Sequence, residues 1–333
     1  MMAKIDRVEW VDLLKGIAIL WLIVYHMHVF DWMHSPVPVF FFLSGLFFSE
    51  GKSFNQFFVR KVKALLIPLL FFFVLGEVAS AIQCLLQGDT FRLPPLWLFA
   101  TLIPADAEVP NTIGVGAIWF LVSLFEIYII YYALRKVTKR VFCLLIVGFA
   151  LFIISCLTMQ YYAMGSLFYL LYTFGYVIFF ICAHLIREKI ISCEIPVWLV
   201  ILSLLVYSLR FFNTPDILNN YVAGVILSGT KWLLSESGLL IVLIWLCKKI
   251  SYYVSDSKSL TYSFLMFEGR NSLTILGVHM LIMGAGSLFL KMLIPISSFY
   301  YFTLFFFIVS ISNICVLLFN RYVPFLVNHQ INR

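Results

Sequence analysis

The sequence predicts an all-α fold: a polytopic transmembrane helix bundle of about ten spans, N-in and C-in, with residues 1–333 as one integral membrane domain. Three observations predict it. Of the 333 residues, 63% are hydrophobic and 12% charged, and soluble domains carry about twice that charged fraction. Apolar runs of bilayer length recur along the whole chain, a span needing about 20 mainly apolar residues. The basic residues gather in alternate connections between those runs.

The runs are 11–30, 37–49, 64–86, 115–134, 141–158, 166–187, 196–213, 232–248, 270–292 and 298–320. They read as helices, because open sheet edges cannot face lipid and the runs exceed barrel-strand length. The second run is short, which suits a half-span or a tilted helix; its Pro residues and Ser44-Gly45 suggest a broken helix packed close to a neighbour. The stretch 217–231 is weakly apolar and reads as interfacial. With the N-terminus inside, eighteen Lys and Arg fall on the cytoplasmic side. Four, Arg92, Arg210, Lys231 and Lys291, fall outside, and Lys15 lies within a span. That asymmetry sets the orientation. The longest outer connection, about 87–114, holds four Pro and three acidic residues, and reads either as a lid or as a plain connector.

The net charge of +7 is accounted for by these short basic loops, and no basic patch with interleaved accessible aromatics suggests nucleic acid. The seven Cys are scattered, mostly inside apolar runs, with no CxxC and no metal spacing, so they read as small buried hydrophobes and no metal is expected. The first apolar run carries charge and lacks a small-residue cleavage site, so it reads as a span and not a signal peptide. No GxSxG, HExxH, Walker A or GxGxxG pattern is present.

The polar residues inside spans are the functional candidates, since such groups are expensive in lipid. Lys15 and His26 lie eleven residues apart on the first run. That is about three helical turns, so they share a face roughly 16 Å apart along the axis. A histidine there suits general-base work, and a lysine suits a phosphate or carbonyl oxygen. The bland alternatives are Lys15 snorkelling or pairing with Asp12, and His26 as a structural hydrogen bond. Arg60, Lys61 and Lys63 crowd the start of the third span. They serve either as an anchor on anionic lipid or as a polyphosphate site. Trp119, Glu126, Asn271 and His279 are candidate substrate contacts. Glu77 and Glu236 are further buried carboxylates, and the residues alone leave open which of these groups meet.

Several short motifs fall in an order that resembles the membrane acyltransferase family 3. They are EWVDLLKGIAILWLIVYHMH with Lys15 and His26, PVPVFFFLSGLFF at 36–48, the basic Arg60-Lys61-Val62-Lys63, Trp119-Phe120-Leu121, and Gly269-Arg270-Asn271-Ser272-Leu273 followed by His279. The resemblance implies an integral bacterial inner-membrane O-acyltransferase that uses acetyl-CoA or another acyl-CoA as donor. It implies His26 as the catalytic imidazole, by direct transfer or by relay, with Lys15 beside it. Lys15, Arg60, Lys61 and Lys63 would lie near the donor's phosphates or thioester. The family's Arg is Lys at 15 and 63, which keeps the charge but loses the bidentate fork. Some members carry a fused extracytoplasmic hydrolase-like domain; none is expected here, which would leave the membrane unit as the whole enzyme. The expected partners are therefore membrane lipid and a surface polysaccharide or lipid-linked glycan acceptor. The rival expectation is a transporter or export component for a polysaccharide precursor, although no inverted repeat is visible.

Overall fold

The computed structural model describes residues 8–30, 33–51, 53–88, 119–161, 168–212, 221–254 and 259–324. Most of the predicted 87–114 connection lies outside the described residues, as do the basic residues Lys4, Arg7, Lys52, Arg92, Lys258 and Arg333. Among the described residues every regular element is helical. In chain order these are α1 (Glu9–His26), α2 (Val37–Leu46), α3 (Phe54–Lys61), α4 (Ile67–Gln87), α5 (Trp119–Val137), α6 (Val141–Tyr161), α7 (Phe168–Ser192), α8 (Val197–Ser208), α9 (Val222–Val254), α10 (Leu260–Arg270), α11 (Ser272–Leu293) and α12 (Ser298–Tyr322). Among the described residues four stretches are long and apolar enough to cross a membrane: Phe54–Leu86, Val141–Thr158, Ser272–Leu293 and Ser298–Tyr322.

Local chemistry sets the helix ends. α1 begins with Glu9 and Asp12 in its first turn, the end where a helix dipole favours negative charge. It stops because His28 takes a left-handed φ of 50°, which few side chains other than glycine adopt readily. Ser53, Ser259 and Ser297 cap α3, α10 and α12 by accepting from the amides of Gln56, Tyr262 and Tyr300. α3 and α4 form one continuous rod through a π-turn at Val62–Leu66. Pro68 lies just beyond it; a proline within a helix has no N–H for the ladder and crowds the preceding turn, and the widened π-turn accommodates it.

The helices differ from the sequence reading in several places, among them the start of the third span, which reaches back to Phe54. The run 232–248 is the second half of α9, a 33-residue helix starting at Val222. Nothing in 222–231 is a proline, so the helix propagates through the polar Ser228 and Lys231. The run 166–187 extends to Ser192, through a charged last turn. α10 was not foreseen, because Leu260–Arg270 is short and mixed in character. Asn271 separates it from α11. The Asn271 side chain donates to the Phe267 carbonyl at 2.8 Å and accepts from Asn320 at 3.1 Å.

α1 is the central element. It lies against α2, α9, α10, α11 and α12. Its tightest crossing is with α10, where Gly16 faces Gly269. A Cβ on Gly269 would overlap the carbonyl oxygen of Asp12, and one on Gly16 would overlap that of Leu265. Backbone meets backbone there, as small-residue helix pairs in membranes allow. Arg270 adds an ion pair to Asp12 at 3.5 Å. The predicted close packing at Gly45 is present too: a Cβ there would overlap the Phe180 carbonyl of α7. Gly269→Leu should therefore separate α1 from α10. The expected loss is about 3 kcal/mol or more, at the upper end for overpacking, read as a fall in the melting midpoint of the detergent-purified protein.

Candidate active site

Two groups predicted from the sequence meet at one end of α1. His26 Nδ1 lies 2.9 Å from His279 Nε2, and the rings sit 5.1 Å apart, nearly parallel at 22°. His279, on α11, is fully buried. Its Nδ1 lies 2.9 Å from the Leu276 carbonyl and 3.1 Å from that of Ile275.

These contacts fix the protons. A carbonyl oxygen only accepts, so His279 Nδ1 carries the hydrogen and donates it to its own helix. In the neutral ring His279 Nε2 is then an acceptor, and His26 Nδ1 must be the donor to it. The neutral His26 therefore carries its lone pair on Nε2, where no partner is found among the described residues. The second histidine thus sets the tautomer of the first, as the orienting partner of a catalytic or metal-bound histidine does.

Lys15 lies toward the other end of α1, on the same face. It lines a cavity of about 200 Å³ together with Ile19, Phe40, Ser44, Leu124 and Leu276. The walls come from α1, α2, α5, α11 and the π-turn. Leu276 lies three residues before His279 on α11, and neither histidine lines the cavity itself. Its lining is apolar apart from Lys15 and the hydroxyls of Ser44 and Ser272.

The other candidates have varied surroundings. Arg60 donates to the Ser49 carbonyl at 2.9 Å. Lys61 sits 3.3 Å from the centroid of the Tyr128 ring, a cation–π contact. Lys63 is exposed. Adjacent in sequence, Arg60 and Lys61 point to different surroundings because successive helical residues are turned about 100°. Glu126 accepts from Thr173 Oγ1 at 2.9 Å. Trp119 packs edge-on against Tyr172 at 5.2 Å. Asn271 serves the α10–α11 joint. Neither carboxylate oxygen of Glu77 has a partner among the described residues, whereas Glu236 Oε1 lies 3.0 Å from His34 Nδ1.

Sequence reasoning missed His34 and the pair Tyr172–Tyr176, whose hydroxyls are 2.8 Å apart. It also missed Glu50, which holds Arg135 at 3.1 Å and Lys136 at 3.6 Å. His34 left no signal, since it follows a span in a short polar connection. The tyrosines were hidden among many membrane aromatics.

Compared with known proteins, residues 8–319 match the family described as an acyltransferase domain. No curated protein and no solved structure is matched.

Proposed function

The chain belongs to the membrane acyltransferase family 3, and from that premise we propose that it is an inner-membrane O-acyltransferase of a bacterial cell. It takes an acyl group, acetyl in the simplest case, from cytoplasmic acyl-CoA and places it on a hydroxyl of a surface glycan or lipid-linked sugar. The observation that carries this reading is the His26–His279 pair, which leaves an unprotonated Nε2 within an apolar helix bundle.

His26 Nε2 takes the proton of the acceptor hydroxyl as its oxygen attacks the thioester carbonyl. The C–S bond then breaks, and His26 returns the same proton to the leaving sulfur, so the thiol departs neutral and the imidazole is restored. During the step the positive charge on His26 is shared with His279 through the Nδ1–H···Nε2 bond. The roughly 16 Å between Lys15 and His26 along α1 suits an extended thiol arm, with Lys15 at its phosphate-bearing end and the thioester at His26. The apolar cavity walls exclude water and so disfavour hydrolysis. Arg60, Lys61 and Lys63 supply further positive charge on the same side.

The test is acetyl transfer by purified protein from labelled acetyl-CoA to envelope glycan, read by proton NMR of the O-acetyl signal. Transfer that depends on the protein supports the reading. Altered glycan export with no acetyl-CoA consumed overturns it in favour of a transporter. Within the same assay, Lys15→Met should raise the KM for acetyl-CoA by about tenfold, the worth of one charge-assisted contact. Lys15→Arg should stay close to the parent protein because it keeps the charge.

A further inference from the structure

We infer that a second site, for the sugar ring of the acceptor, is formed around Tyr176 by Trp119, Tyr172, Trp232, Glu236 and His34. This rests on the acyl-transfer reading and says where its second substrate is held. Tyr176 is the centre, 6% exposed. Its ring stacks on Phe41 at 4.6 Å and meets Tyr172 at 5.4 Å, Trp232 at 5.8 Å and Trp119 at 6.2 Å. Tyr172, Trp119 and Trp232 are only half-buried, so they form a rim above a buried floor. Glu236 stands four residues after Trp232 on α9 and so shares its face.

The charges argue against plain core packing. Glu236 is 4% exposed, yet the one side chain it pairs with, His34, is 41% exposed. A carboxylate in apolar surroundings is expensive unless fully paired. Here the pairing runs through Oε1 to the more exposed His34. The Tyr172 and Tyr176 hydroxyls add a hydrogen-bonded pair beside it.

Aromatic faces with a few placed polar groups are how small-molecule sites gain both affinity and orientation. A pyranose has the matching surface: C–H faces for the rings, and hydroxyls that donate to a carboxylate. The location also fits. Tyr25 has its ring 5.3 Å from that of His26, and α9, which carries Trp232 and Glu236, packs against α1. His34 follows His26 by eight residues. The cluster thus adjoins the proposed base at the end of α1 away from Lys15, where the acceptor hydroxyl must arrive.

The test uses full-length protein in nanodiscs, labelled acetyl-CoA as donor, and hexyl glycosides of glucose, galactose, mannose and rhamnose as acceptor probes, with hexanol as the sugar-free control. Glu236→Gln keeps shape and removes charge; Tyr172→Phe removes one hydroxyl. Each should raise the KM for the best glycoside by about tenfold or more, while the KM for acetyl-CoA stays within about twofold and so reports an intact fold and donor site. Unchanged glycoside KM in both variants, or hexanol serving as well as the glycosides, overturns the acceptor site and leaves the acyl-transfer reading standing. If the wild-type protein consumes no acetyl-CoA with any acceptor, both fall together.

Discussion

His26→Ala should lower acyl transfer by roughly 10²- to 10⁴-fold, the usual contribution of a positioned general base, with little change in the KM for acetyl-CoA. The expectation follows from the tautomer. His26 Nδ1 is committed as donor to His279 Nε2, and Nε2 is left as the basic atom of the ring. Single-turnover transfer from labelled acetyl-CoA measures it, with insertion checked by size-exclusion chromatography of the variant. A well-inserted His26→Ala protein that transfers at the parental rate would remove His26 from the chemistry while keeping the enzyme.

His279→Leu comes next in size. It removes the acceptor for His26 Nδ1–H, so His26 loses both its orientation and its preference for the Nε2 lone pair. A loss of about 10- to 100-fold in kcat is expected, as for the outer partners of functional histidines. His279→Gln should recover part of this, since its carbonyl oxygen can accept the same hydrogen. His279 acts through His26, so His26→Ala/His279→Leu should be scarcely worse than His26→Ala alone. Multiplicative losses in the double variant would mean that His279 touches substrate independently.

How far the sequence foretold this arrangement depends on whether a feature is local. The shared face of Lys15 and His26 was legible, because two ionisable residues eleven apart in an apolar helix fix their own geometry. His279 was legible as a polar group in an apolar helix, but its partner was not. The pair is 253 residues apart in sequence, and helix packing alone decides which groups meet. Arg60, Lys61 and Lys63 read as one cluster because they are neighbours in the chain, yet Arg60 turns to Ser49 and Lys61 to Tyr128. The small residues Ser44-Gly45 announced a close helix contact, and one exists at Phe180. Gly16 and Gly269 could be paired only in space. Glu236 was legible as a buried carboxylate, but nothing in the residues around His34 pointed to their contact. The acyltransferase assignment came from the order of several short motifs, and the family match over residues 8–319 bears it out.

The glycine crossing also determines which parts of the bundle can move. At Gly16 and Gly269 the backbones of α1 and α10 touch, and Arg270 clasps Asp12 on the same joint. Interlocked surfaces of this kind resist sliding because close-packed interiors do not deform continuously. α1, which carries Lys15 and His26, is therefore expected to hold a fixed register against α10. Any widening of the cavity would come from its other walls, where α2, α5, α11 and the π-turn supply Phe40, Leu124, Leu276 and Leu65. A π-turn has one residue more than an α-helical turn, and such turns often mark functional sites. In this protein it lies in the cavity wall, which it enters through Leu65.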